Sequence, residues 1–144
     1  MAKLTLQQAN RIIEGALAKA REMKLKPLGV VVLDESGHLK AAQREDAASM
    51  FRIEIATGKA WAAVAMGASS RALAARAKDN PNFFITLAAT AQGKFLPQTG
   101  GVLIRDASGQ ILGAAGASGG TGEEDETACA HGIEQAGLVP DATG

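Results

Sequence analysis

The chain has 144 residues, fifteen basic and fifteen acidic, with 47% hydrophobic residues. That length fits a single domain over residues 1–144 with a core that needs no metal or disulfide staple. Zero net charge removes the long-range pull toward nucleic acid or anionic membrane.

The lone cysteine, Cys129, excludes an internal disulfide. No run approaches the roughly 18–20 apolar residues of a membrane span, and the stretch MAKLTLQQANRIIEG lacks the apolar centre of an export signal. The expected setting is cytoplasmic, with neither nucleic acid nor membrane as partner. Aromatic residues are only 3%. Small side chains bury little area each, which predicts tight helix contacts or burial between subunits of a homo-oligomer.

Thr5 and Gln8 have capping-box spacing. Leu6, Ala9, Ile12, Ile13, Ala16, Leu17 and Ala20 then mark the apolar face of a first helix. Residues 28–33 (LGVVVL) read as a buried strand, 34–37 as a turn, and 38–43 as its hairpin partner. A second helix is expected over 49–67 and a third over 68–78, ended by Asn80-Pro81. Asn82 then caps a short fourth helix through Phe84, Leu87 and Ala88.

Gly100-Gly101 breaks the pattern. Strands are expected over 102–105 and 110–115 around a turn at 106–109. A glycine-rich loop follows over 116–120, then a final helix over 121–137 and a frayed tail over 140–144. The turns Asp34-Glu-Ser-Gly37 and Asp106-Ala-Ser-Gly109 share one design. With the short helix after Asn82 left aside, the order α-β-β-α-α-β-β-α is therefore an α/β chain of the α+β type. Its two β-hairpins form one central antiparallel sheet of four to five strands, covered by helices on one side or end.

Chemistry concentrates at Gly119-Gly120-Thr121-Gly122-Glu123-Glu124-Asp125-Glu126. Glycines there let backbone approach a ligand, and free N–H groups at a helix start suit anions. The Gly-Lys-Ser/Thr of a phosphate loop is missing. Thr121 and Glu124 form a second capping box, which gives Glu123 and Glu124 a structural role. Asp125 or Glu126 then remains to face a pocket as a general base or cation ligand.

Gln43-Arg44-Glu45-Asp46 ends the first hairpin, where polar groups are often functional or merely solvated. Lys59 lies in an apolar helix pattern, as a snorkelling rim residue or a pocket cation, with the rim reading the simpler. His38 and His131 offer no metal-ligand spacing. No GxSxG elbow is present.

Several segments resemble the GlcG/HbpS-like family, which includes the C-terminal domain of some corrinoid adenosyltransferases. They are LTLQQANRIIEGALAKA, VVVLDESGHLKAAQREDAA, IEIATGKAWAA and, most specific, GASGGTGEEDE. The resemblance implies a compact domain with a central antiparallel sheet, usually in a homo-oligomer. Some relatives bind haem; others belong with small organic acid or diol catabolism. Its signature positions fall on Arg44, Asp46, Lys59, Gly119, Gly120, Thr121, Gly122, Glu124 and Asp125. Arg44-Glu45-Asp46 replaces an arginine-methionine-aspartate phrase, and Gln98-Thr99-Gly100-Gly101 a Pro-Gly-Gly phrase.

Three functions stay open. The first is a binding protein holding a small organic molecule, haem included, near the 119–125 loop, with Arg44 and Asp46 as polar contacts. Haem would need an axial ligand, for which His38 and His131 are the conventional candidates. The second is an enzyme of small organic acid or aromatic catabolism. Asp125 or Glu124 would be its base, Lys59 or Arg44 its carboxylate clamp, and the loop N–H groups its oxyanion stabilisers. The third is an accessory subunit.

Overall fold

The computed structural model describes residues 3–143. Thr5 caps α1 (Leu6–Glu22), and the Thr5–Gln8 box closes with two hydrogen bonds of 3.0 Å. β1 (Gly29–Asp34) and β2 (Leu39–Arg44) form the first hairpin. α2 (Phe51–Met66), α3 (Ser70–Asp79) and α4 (Pro81–Thr90) lead to the second, β3 (Gly101–Arg105) with β4 (Ile111–Ser118). α5 (Gly122–Gln135) and β5 (Val139–Asp141) complete the chain.

The strands form one antiparallel sheet in the order β2-β1-β4-β3-β5, so β1 and β4 join the two hairpins at its centre. Helices cover both faces, not one side. α1 and α5 lie over Val30, Val32, Val102 and Ile104. α2 lies over Val31, Leu33, Leu103 and Ala114. The reason was present in the Val-Val-Val-Leu run of β1: consecutive apolar residues point to alternate faces, so both faces need cover. The tail expected over 140–144 begins in a strand instead, and Gly144 lies outside the described residues. Val139–Asp141 pairs with β3 along its free edge, and Arg105 Nε meets Asp141 Oδ2 at 2.9 Å.

Small residues let the layers approach closely, as the low aromatic content predicts. A Cβ on Gly132 of α5 would lie 2.2 Å from the Ile12 carbonyl oxygen of α1, an impossible contact.

The two hairpins repeat in detail. Asp34 Oδ1 accepts the N–H groups of Ser36 and His38 at 2.9 and 3.0 Å. Asp106 Oδ1 accepts those of Ser108 and Gln110 at the same distances. Gly37 and Gly109 close the turns at φ +80° and +90°, where other residues are strained. Each second strand then carries one unpaired residue three positions on, Lys40 and Leu112, because the register shifts there. Such a bulge flips the alternation of side chains. Leu39 and Ala42, paired with Leu33 and Val31, consequently both stand on the α2 face.

Candidate functional site

β4 runs three residues further than the alternating pattern implies, to Ser118, because Gly116 and Ala117 continue its pairing with β1 and β3. The glycine-rich loop is therefore short, and α5 starts directly against the sheet end. Thr121 caps it: its hydroxyl accepts the Glu124 N–H at 3.2 Å, and Glu124 Oε1 accepts the Thr121 N–H at 2.8 Å. Glu124 is thus engaged in the cap. Glu126 points elsewhere, pairing with Arg71 of α3 at 2.9 Å and holding that guanidinium above its ordinary value.

The first turn of α5 places Asp125 under the sheet end, 1% exposed. α2 brings Lys59 to the same point, 5% exposed. Lys59 is therefore not a rim residue. Its ammonium donates to Asp125 Oδ2 at 3.1 Å and to the Ala117 carbonyl at 3.0 Å. Asp125 Oδ1 accepts the Gly120 N–H at 2.9 Å. Gly100 makes the room: a Cβ there would lie 2.7 Å from Lys59 Nζ. Taking two ions out of water costs several kcal/mol each and is offset only by good geometry and further hydrogen bonds, both present here. One of the three ammonium protons is left over for another acceptor.

A cleft of about 730 Å³ opens beside this pair. Arg52, Ile55 and Lys59 supply one wall; Ser118, Gly120, Thr121, Gly122 and Glu123 supply the other, with Leu96 and Thr99 between. Arg52 Nη1 donates to Ser118 Oγ at 3.0 Å. Arg52 and Ser118 escaped the reading of the sequence. The available signal was the i, i+3, i+7 spacing of Arg52, Ile55 and Lys59, which shares one helix face. Gly119 sits one step outside, at φ +149° against the Pro27 carbonyl, and shapes the loop rather than the wall.

Arg44 and Asp46 are not brought to this cleft. They line another, of about 490 Å³, with Arg21 and Glu45, and Arg44 donates to the Ala48 carbonyl. Their neighbour Glu45 braces the chain there, accepting the Leu28 N–H at 2.8 Å and pairing with Arg21 at 3.1 Å. His38 lies at the start of the β2 edge and His131 on α5; neither lines the large cleft. Among the described residues no three His, Cys, Asp or Glu side chains gather to hold a metal. Cys129 lies under the ion pair, fully buried, and burial, reinforced by the Asp125 carboxylate, pushes its thiol well up.

The comparisons agree with this architecture. The chain is 30% identical over 123 residues to the corrinoid adenosyltransferase PduO of Citrobacter freundii, covering 85% of this chain and 36% of that protein. It therefore spans about a third of that relative. It is 28% identical over 125 residues to a 15.0 kDa protein of the dhaT-dhaS intergenic region of the same organism, covering 87% and 86%. A crystal structure of a PduOC–haem complex superposes with TM-score 0.84 at 25% identity, covering 95% and 97%. The crystal structure of HbpS does so with TM-score 0.80 at 26%, covering 93% and 90%. The family model for haem degrading protein HbpS-like matches residues 4–134, from the α1 helix through the ion-paired α5, and to that family the chain belongs.

Proposed function

We propose that this protein binds a small organic anion in the cleft between the first half of α2 and the start of α5. One observation carries the reading: the buried Lys59 keeps an unspent ammonium proton beside the cleft, and Arg52 adds a second cation on the same wall. Two cations with a short apolar stretch, Ile55 and Leu96, match a carboxylate on a compact carbon skeleton. Asp125 then acts by fixing Lys59. Both its oxygens are already engaged, which favours binding over a general-base role. Glu124, held in its cap, is no better placed as a base.

Haem enters through the family and the haem complex of a structural relative. The cleft beside Lys59 does not fit it. Iron needs an axial His, Cys, Met or Tyr, and the wall residues include none of these. Assembly into a homo-oligomer is part of the same proposal, supported by the exposed apolar side chains Leu39, Met50, Phe51, Phe83 and Ile85; sedimentation of a stable monomer at micromolar concentration would end it.

The test is calorimetric titration with a panel of two- to five-carbon carboxylates. Binding that weakens at least about tenfold, or 1.4 kcal/mol, in Arg52→Ala supports the reading. Equal binding by the native and Arg52→Ala proteins, or none by the native, refutes it.

A further inference from the structure

Two cations and two carboxylates line the anion cleft: Lys59 and Arg52 from α2, Asp125 and Glu123 from α5. Their formal charges cancel. The two carboxylates are not equivalent. Asp125 is buried, and both its oxygens are engaged, by Lys59 and by the Gly120 N–H. Glu123 is exposed and takes no part in the Thr121–Glu124 cap. Its backbone carbonyl accepts the Thr127 hydroxyl at 2.9 Å, but its carboxylate has no partner among the described residues. Arg71 does not supply one, because Glu126 holds it on two nitrogens.

The unspent donors gather around Lys59. Its ammonium keeps one proton. Ser118, 2% exposed, accepts Arg52 Nη1, and its own hydroxyl proton has no acceptor among the described residues. Arg52 Nη2 is likewise unengaged there. Three donors therefore await one carboxylate, while a free carboxylate stands on the wall opposite Arg52 and Lys59. A dicarboxylate would set its second charge against Glu123. A plain monocarboxylate leaves Glu123 with water alone. A ligand with an ammonium beside its carboxylate makes charge-assisted bonds to both walls, and Ile55 and Leu96 give a short aliphatic chain an apolar seat.

We infer that the cleft selects the zwitterion of a small aliphatic α-amino acid. Lys59, Arg52 and Ser118 donate to its carboxylate, and Glu123 accepts from its ammonium. This selectivity rests on the anion binding proposed above and adds Glu123 as the residue that sets it.

Alanine, lactate, propionate and malonate are three-carbon probes that differ in what accompanies the carboxylate. Each is titrated calorimetrically into the full chain. Alanine binds about fivefold or more tightly than propionate, the scale of one charge pair at a partly exposed site; lactate falls between them and malonate is weakest. In Glu123→Gln the order collapses: alanine drops to the level of propionate, and malonate gains. Glu134→Gln, which removes an exposed acid near the other end of α5, keeps the native order. The inference is overturned if propionate or lactate binds the native protein as tightly as alanine, if the preference for alanine survives in Glu123→Gln, or if Glu134→Gln erases it equally. In each of those cases the binding of propionate leaves the anion cleft standing. A native protein that binds neither alanine nor propionate removes both.

Discussion

Changing Asp125 to Asn removes one charge and little else. The amide oxygen still accepts the Gly120 N–H, but Lys59 is left as a buried cation with only the Ala117 carbonyl beside it. Breaking a buried pair in this way costs ~3–5 kcal/mol. An unfolding entropy of roughly 0.3 kcal/mol per kelvin for a chain of this length converts that into a melting point about 10–17 °C lower. Replacing both partners, as Lys59→Met with Asp125→Leu, removes the stranded charge, and such swaps run from neutral to ~1–4 kcal/mol stabilising. The assay is urea and thermal unfolding of the native protein, both single variants and the double variant. The reasoning fails if Asp125→Asn costs less than ~1 kcal/mol, since Lys59 would then be swinging into the adjoining cleft and staying hydrated. It also fails if the double variant is as unstable as the singles, because geometry and not charge would then be the cause.

Gly132→Ala drives a methyl into the Ile12 carbonyl, 2.2 Å away, and forces α1 from α5; a loss of ~3 kcal/mol or more is expected in urea titrations, whereas Gly137→Ala meets nothing within 4 Å and costs only the ~1 kcal/mol of a side chain at φ +78°. Thr121→Ala removes the hydroxyl that accepts the Glu124 N–H, lowering stability by ~1 kcal/mol by the same measurement. For Asp34, burial pushes its carboxyl up, but the N–H groups of His38 and Ser36 outweigh this and hold it below 3.8; the Ser108 hydroxyl and turn N–H groups do the same for Asp106. A carboxyl depressed in the folded state contributes stability that is complete above its unfolded value and lost as pH falls through the folded one. The urea midpoint should hold steady from pH 7 to 5 and fall below about pH 4, less steeply in Asp106→Asn. Cys129, with its thiol pushed up by burial, should resist alkylation in the native protein and react once urea unfolds it; prompt native labelling would contradict the packing.

Local rules made most of the fold legible. Both capping boxes, the Asp-x-Ser-Gly turns and the hairpin order follow from contacts within a few residues. The failures were all tertiary. Lys59 looked like a rim residue because helix periodicity sees only its own helix; its burial depends on Gly100 and Asp125, 41 and 66 positions away. The tail over 140–144 carries no strand pattern, and Val139–Asp141 is a strand only because β3 offers it a free edge. Gly116 and Ala117 read as loop because glycine is poor in strands, yet the missing side chain of Gly116 is what lets α2 lie across the sheet, since a Cβ there would lie 2.2 Å from the Ala56 carbonyl oxygen. The positions expected to cooperate divided for the same reason. Lys59 and Asp125 converge, while Arg44, at the end of an edge strand, and Asp46, in the turn after it, line another cleft.

The repeated turn carries a consequence for variation. In both copies the aspartate carboxylate and the backbone hold the bend, with the Ser108 hydroxyl adding a bond in the second, and the residue after the glycine contributes only backbone groups, its N–H and its carbonyl. Its side chain is structurally redundant. The two copies have spent that freedom differently, on an imidazole at His38 and an amide at Gln110. Each hairpin is therefore a socket: a rigid bend that presents one interchangeable side chain at a fixed height beside the sheet. New chemistry can be tried at either socket without renegotiating the fold.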